Sequence, residues 1–376
     1  MLTQFNNNFS RLNLLRFPIK PKQTLQAWDA ADEFLLQNLY TDYNLKNDVK
    51  ILIFNDSFGA ISLALHQYSP TIMTDSYISQ QAIIANCTVN QIDVNSIKII
   101  NSLSTHEQYY NYILIKIPKS LDYLHYFLTK LRTFIDSKTI ILAAGMVKHM
   151  PKSLWNMLED NLGKTTTSLT KKKAKLINIK VEKNHTATAY PIHFRQEHTQ
   201  FEVYNHANVF SKQSLDIGTR FLLQNLPALH NIQDIIDLGC GNGVVGLNLS
   251  ILYPDANIVC TDESYMAVAS AKLTIKHNIG SATKFKFKVD NCLDSFAENS
   301  ADLIVCNPPF HQSHSIGTHI AMQMFKQSHK TLNKNGYLIV IANRHLPYYS
   351  HLKGVFKHVK TIASNQKFNI FLLSKY

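Results

Sequence analysis

The segment Asp234 to Gly246, DIIDLGCGNGVVG, constrains this chain more than any other. Apolar Ile235, Ile236 and Leu238 surround Asp237, Gly239, Gly241 and Gly243 then recur at every second position, and the apolar run LNLSIL follows. The pattern predicts a strand, a tight turn and the start of a helix. Glycine suits such a turn because it takes positive φ without strain and lets a ligand come closer to the backbone than any Cβ allows.

Two ligands fit that pattern. Gly241, Gly243 and Gly246 satisfy the dinucleotide spacing G-x-G-x-x-G, and the acidic pair Asp262 and Glu263 follows about 20 residues on, as a ribose clamp requires. Asp237, ahead of the glycines at the strand end, favours S-adenosylmethionine instead. Its carboxylate is placed to order the turn and hold the amino-acid end of that cofactor, whereas a loop that cradles a pyrophosphate has no use for a negative charge beside it. The plainer alternative is a glycine-rich turn in an ordinary α/β domain.

The second half continues as alternating strands and helices, the pattern of a parallel sheet covered on both faces. The strand KFKFKVDNCLD leaves Asp290 and Asn291 at its C-terminal end, where ligands of open α/β sheets lie. Asp262 is then expected at the ribose hydroxyls, and Asp290 or Asn291 at the adenine edge. The next strand, ADLIVC, runs into Asn307-Pro308-Pro309-Phe310, the most specific signal in the chain.

The chemistry of that tetrapeptide concerns an exocyclic amine conjugated to an aromatic ring. Its lone pair is delocalised, so the nitrogen is a poor nucleophile. The Asn307 side-chain oxygen and the Pro308 carbonyl, stiffened by consecutive prolines, can accept both amine protons and turn the lone pair toward a sulfonium methyl. Phe310 offers a face for the base to stack on, worth ~1 to 3 kcal/mol. Much of the catalysis is then alignment, with no metal or covalent intermediate required. A rigid turn after a strand is the alternative, weakened by the acid-G-x-G-x-G strand that precedes it in register.

The first half repeats the plan. IFNDSFGAISLAL (Ile53 to Leu65) set against DLGCGNGVVGLNL (Asp237 to Leu249) puts Gly59 on Gly243, Asn55 on Gly239 and Ser57 on Gly241. Thr74-Asp75-Ser76 matches Thr261-Asp262-Glu263, and the strand ending Lys116-Ile117-Pro118 matches the one ending Cys306-Asn307-Pro308. Three matched elements in one order predict an internal duplication with one working and one decayed copy. Two α/β domains sharing a common plan is the competing explanation. A helix is expected over Thr24 to Leu39 with Thr24 as its cap, a strand over Thr139 to Met146, a helix about Leu154 to Leu162, and a hairpin from YPIHF and FEVYN. Leu215, Ile217, Phe221 and Leu222 are expected to form one apolar helical face.

Between them lies GKTTTSLTKKKAKLINIK, with six Lys and no acid from Gly163 to Lys180. Lys171, Lys172, Lys173 and Lys175 are candidates for gripping phosphates without reading sequence, and Leu169, Leu176 and Ile177 suggest a fixed strand. A solvated charged face is the alternative. The formal charge of +12 is compatible with nucleic acid or an anionic membrane, though 32 of the 38 basic residues are Lys in a chain also rich in Asn and Ile, so composition contributes. Five scattered cysteines without a C-x-x-C pair read as reduced thiols of a cytoplasmic protein. His311, His314 and His319 have the spacing of no standard metal site, so no metal is expected. His311 and, in the later loop ANRHL, Asn343, Arg344 and His345 are candidates for touching substrate. The N-terminus lacks the pattern of a signal peptide, and no apolar run is long enough to span a membrane.

With these motifs in place, the second half resembles the class I methyltransferases that modify amino groups, and NPPFHQ at 307 to 312 is similar to the ribosomal RNA guanine-N2 methyltransferases. LQAWDAADEFLL, NDSFGA, TDSYIS, the Thr/Lys stretch, NHANVFS, DLGCGNGV and ANRHL extend the likeness along the chain to the large-subunit (23S) enzymes of that group. The resemblance implies two tandem Rossmann-like methyltransferase domains with seven-stranded, mostly parallel sheets. Residues 1–185 would be the degenerate copy that binds or presents RNA, and residues 186–376 the catalytic one. Its implied activity is S-adenosylmethionine-dependent methylation of a guanine N2 in 23S rRNA. Adenine-N6 or glutamine-N5 methylation, a dehydrogenase, and a non-catalytic RNA-binding assembly factor are the competing readings.

Overall fold

A computed structural model describes residues 3–19, 23–105, 108–182, 189–280, 284–309 and 316–376, the side chains of 316–318 excepted. The chain divides into two compact units, Met1–Ala189 and Tyr190–Tyr376.

The first unit opens with a small antiparallel pair, β1 (Gln4–Asn6) and β2 (Arg11–Asn13), then α1 (Ala30–Asp42). Its body runs β3 (Ile51–Phe54), α2 (Ala60–Ala64), β4 (Thr71–Thr74), α3 (Tyr77–Val89), β5 (Lys98–Asn101), β6 (Tyr112–Lys116), α4 (Leu121–Leu131), β7 (Ile140–Met146), α5 (Lys152–Asn161), β8 (Thr165–Thr167) and β9 (Ala174–Ile179). The second unit has a hairpin, β10 (Ile192–Arg195) and β11 (Glu202–Asn205), then α6 (Ile217–Gln224). After it come β12 (Asp234–Leu238), α7 (Val244–Leu252), β13 (Asn257–Asp262), α8 (Tyr265–Ile279), β14 (Phe285–Val289), β15 (Ala301–Cys306), α9 (Ile316–Thr331), β16 (Leu332–Asn343), α10 (Tyr348–Lys353), β17 (His358–Ser364) and β18 (Phe368–Ser374).

Each body is a seven-stranded sheet of one design. The strand orders are β5-β4-β3-β6-β7-β9-β8 and β14-β13-β12-β15-β16-β18-β17. In each, the first five strands are parallel and the last two pair antiparallel. Strands covered on both faces must be apolar throughout, and β3 (ILIF) is buried at all four positions while β12 is buried from Ile235 to Leu238. In the second unit the chain leaves β12 for β13 on one side and later returns to β15 on the other, so a crevice opens between the ends of β12 and β15.

The duplication is visible in backbone conformation. Gly59 and Gly243 both cap a helix at φ +87° and +78°, and Asn55 takes φ +67° where Gly239 takes +75°. Asparagine tolerates that region better than most residues. The ladders correct two of the sequence matches by one residue. Met73 and Ile115 both face Phe54, as Thr261 and Cys306 both face Leu238, so Thr74 stands at the position of Asp262 and Lys116 at that of Asn307. Ser76 and Ser264, which cap α3 and α8 with their hydroxyls, mark the same register.

Other expectations shift as well. The first helix is capped by Asp29, not Thr24, through a reciprocal box with Asp32. Leu169 is 91% exposed in the turn between β8 and β9, so only Leu176 and Ile177 anchor that hairpin. Ile217 begins α6 half-exposed, while Leu215 and Leu222 face the core.

Candidate active site

Four sequence-selected segments meet at one edge of the second sheet. Leu238 pairs with Cys306 and Thr261, and Asp262 pairs with Val289, so Gly239, Asn307, Asp262 and Asp290 all leave the C-terminal ends of neighbouring strands. Asn343, which ends β16, and Arg344 emerge at the same edge, since Val340 already pairs with Cys306. The exposed Arg344 guanidinium donates to the Asn365 carbonyl at 3.2 Å.

The glycine turn is held from three sides. Gly239, Gly241 and Gly243 take φ of +75°, +52° and +78°. A Cβ on Gly243 would lie 2.7 Å from the Ala271 Cα in α8, whereas one on Gly241 would meet nothing within 4 Å. The first glycine thus serves close packing, and the second leaves one side of the turn open, as a ligand seated against it requires. The Gly241 amide donates to Asp262 Oδ2 at 3.0 Å, and Asn242 Nδ2 donates to Asn205 Oδ1 at 2.9 Å. That second bond gives the first Asn of NHANVFS, Asn205, a role not legible in the sequence.

Asp237 is buried, and its Oδ2 accepts from the Gly246 amide at 2.8 Å. Burial pushes its carboxyl up to about 7; the Gly246 bond opposes this and nearby Asp262 adds to it. Folding therefore takes up a proton on Asp237. Its contribution to stability is full below the unfolded value near 3.8 and is lost as pH rises through about 7. Asp237→Asn keeps an acceptor for Gly246 without that dependence, so its melting temperature relative to the wild type should rise by several degrees from pH ~5 to ~8. Parallel melting curves across this range would contradict the assignment.

Asp262 is half-buried; burial raises its carboxyl too, against amide bonds from Ser264, Gly241 and Glu263. Oδ2 accepts from the Gly241 amide and Oδ1 from the Ser264 amide, both at 3.0 Å, with the Glu263 amide as a third donor; a carboxylate offers about four acceptor sites, so capacity remains for a ribose hydroxyl. Asp290 is likewise engaged, accepting from the Asn291 amide at 2.8 Å and from the Ser295 amide and hydroxyl. Asn291 Nδ2 donates to Asp294 at 2.7 Å. An adenine amine at this strand end would share an oxygen already in use.

Asn307 Nδ2 donates to Thr219 Oγ1 at 3.0 Å, and the buried Oδ1 has no hydrogen-bond partner among the described residues. An unpaired buried acceptor costs about 1 to 3 kcal/mol, and it sits here at the crevice beside the glycine turn. Pro308 follows at the same edge; Phe310, His311 and His314 lie outside the described residues. His319 lies in α9. Among the described residues no group of three or more His, Cys, Asp or Glu is placed to hold a metal, and no helix is long and apolar enough to cross a membrane.

In the first unit the corresponding positions are filled from within. Asp56 accepts from the amides of Gly59, Ala60, Ile61 and Ser62 at the start of α2. The buried Tyr123 hydroxyl accepts from the Asp75 amide at 2.9 Å and lies 2.6 Å from Ser102 Oγ, bridging the ends of β4 and β5. The amides at the start of α2 and the Ser102 hydroxyl, which stands at the position of Asp290, are thus engaged by the chain itself.

The candidate lysines are unequal. Lys172 Nζ pairs with Glu33 at 2.7 Å and Lys171 Nζ donates to Gln37, while Lys175 Nζ lies 5.9 Å from the Trp155 ring centroid. Exposed Lys173, at φ +64° in the hairpin turn, has no ion pair among the described residues.

Known proteins divide the chain the same way. The family model described as RLMG N-terminal domain matches residues 2–183, and Methyltransferase small domain matches residues 200–372. A ribosomal RNA large subunit methyltransferase G from Aeromonas salmonicida (strain A449) is 42% identical over 373 residues, covering 98% of each chain. The chain belongs to the ribosomal RNA large subunit methyltransferase G family. A further family member, from Pseudoalteromonas translucida (strain TAC 125), is 41% identical over 96% of this chain and 95% of its own length. Among solved structures, a T. Thermophilus 16S rRNA N2 methyltransferase in complex with AdoMet and guanosine superposes on the present chain with a TM-score of 0.80. It is 17% identical, covering 100% of this chain and 98% of that one, and shows the shared fold.

Proposed function

We infer that the second unit transfers a methyl group from S-adenosylmethionine to the exocyclic N2 of a guanine in 23S ribosomal RNA. The observation that carries this is the Asn307 carboxamide, fixed at the crevice with its oxygen buried and unpaired. The names of the full-length relatives supply the RNA.

The open face over Gly241 and the spare acceptors of Asp262 fit an adenosyl group, with Asp237, Gly239 and Gly243 shaping the turn and Asp290 and Asn291 at the far strand end. When bound, the sulfonium of S-adenosylmethionine supplies the methyl group. Asn307 Oδ1 accepts one amine proton of the base and the Pro308 carbonyl the other, which aims the nitrogen lone pair. Phe310 provides the stacking face. Such a base must leave its stack to enter the crevice, which favours a loop or unpaired region. Incubating the protein with labelled cofactor and separated ribosomal RNAs, then mapping the label, tests the reading. Label on an adenine, or on protein, would replace it.

The first unit binds or presents the RNA through its Lys-rich hairpin, in the cytoplasm where ribosomes are assembled. Charge pairing orders its lysines: Lys173→Gln and Lys175→Gln together should weaken RNA binding and reduce the salt slope of log K by about 2, whereas Lys172→Gln, already neutralised by Glu33, should change it by less than about 1. Equal effects, measured by filter binding over a salt series, would remove the hairpin from the interface.

A further inference from the structure

We infer that Thr219 is a positioning residue for methyl transfer, its hydroxyl deciding which end of the Asn307 carboxamide faces the target amine. The inference rests on the role proposed above for Asn307.

Asp216 caps α6, accepting from the Thr219 amide at 2.9 Å, and the same Oδ2 lies 3.4 Å from Thr219 Oγ1. An ionised carboxylate only accepts, so the hydroxyl proton turns toward Asp216 and a lone pair is left for Asn307 Nδ2 at 3.0 Å. The two ends of a carboxamide are nearly identical in shape, so packing alone does not choose between them. The sequence of donors does choose. It turns the NH2 toward α6 and leaves Oδ1 as the free acceptor. The reverse orientation would set Oδ1 against a hydroxyl whose proton is committed, and would set NH2 against the amine, donor to donor.

The first unit carries the same three positions with different chemistry. Asp29 caps α1 as Asp216 caps α6, and Asp32 follows three residues later as Thr219 does. Lys116, at the position of Asn307, lies 2.8 Å from Asp29 Oδ1 and 2.6 Å from Asp32 Oδ2. Burial acts to lower the Lys116 ammonium, but the two carboxylates outweigh it and hold it above its ordinary value. In both units the third residue of the helix grips the residue at the end of the fourth parallel strand, Lys116 as the last of β6 and Asn307 just beyond β15. In the first the gripped group is an ammonium, which has no acceptor to offer an amine. In the second it is a carboxamide with one end left over.

The test compares Thr219→Val, Thr219→Ser, Asn307→Ala and the Thr219→Val/Asn307→Ala double variant, reading kcat and KM on ribosomal RNA, calorimetric affinity for S-adenosylmethionine, and melting temperature. Thr219→Val should lower kcat about 10- to 100-fold, the range for residues that orient an active group. Cofactor affinity and the KM for RNA should hold, Thr219→Ser should restore most of the rate, and the double variant should be no slower than Asn307→Ala. Should Thr219→Val fold poorly, Thr219→Ala carries the same comparison. Near-normal kcat without the hydroxyl, alongside an inactive Asn307→Ala, overturns the inference and leaves the proposed function standing. So does a Thr219→Ser as slow as Thr219→Val. A near-normal Asn307→Ala overturns both.

Discussion

Asn307→Ala is expected to lower methyl transfer by a factor of about a hundred to a thousand or more, the loss typical of removing one preorganised group that meets a reacting centre. The substitution deletes the buried Oδ1 that has no partner among the described residues and the Nδ2 bond to Thr219. It leaves the glycine turn and Asp262 untouched, so affinity for S-adenosylmethionine, measured by calorimetry, should stay within about threefold of the wild type. The melting temperature should hold or rise slightly, because an unpaired buried acceptor is lost. The outcome that sinks the role is turnover near the wild-type rate, which would mean that some other group orients the amine.

The glycine turn carries the second large effect, and two neighbouring substitutions should separate its two functions. At Gly243, φ is +78° and a Cβ would lie 2.7 Å from the Ala271 Cα and 2.8 Å from its Cβ, atoms of a helix that cannot yield locally. Gly243→Ala should cost about 3 kcal/mol or more and lower the melting temperature of the second unit by about 5 to 10 °C. At Gly241, φ is +52° and a Cβ meets nothing within 4 Å, so Gly241→Ala carries only the backbone cost of about 1 kcal/mol. It should nevertheless lose most of the stabilisation that added S-adenosylmethionine gives the wild type. If Gly241→Ala is stabilised as well as the wild type, the cofactor does not lie over this face.

Both sheets were legible in the sequence because a parallel strand buried on two faces is an apolar run and each is followed by turn residues: ILIF before Asn55, DIIDL before Gly239. The candidate site was legible to the same depth. Asp262 ends a strand, Gly239, Asp290 and Asn307 each stand one step beyond one, and strand ends in such a sheet converge. What letters could not fix was register. Aligning Asp75 with Asp262 is attractive chemically, but equivalence is set by ladder pairing and by the capping serines Ser76 and Ser264. Thr219 was missed for a related reason. It lies 88 positions before Asn307, and its only local sign was Asp216, a helix cap that marks an end without saying what the next turn touches.

The way Asp56 holds the start of α2 bears on how far the first unit's turn stands from the second's. Four backbone amides and the Ser62 hydroxyl now depend on that one carboxylate, so converting NDSFGA back toward a glycine turn would first strip a helix of its cap. A change of this kind is easier to make than to undo, because the carboxylate that fills the turn has become part of what holds the helix in place.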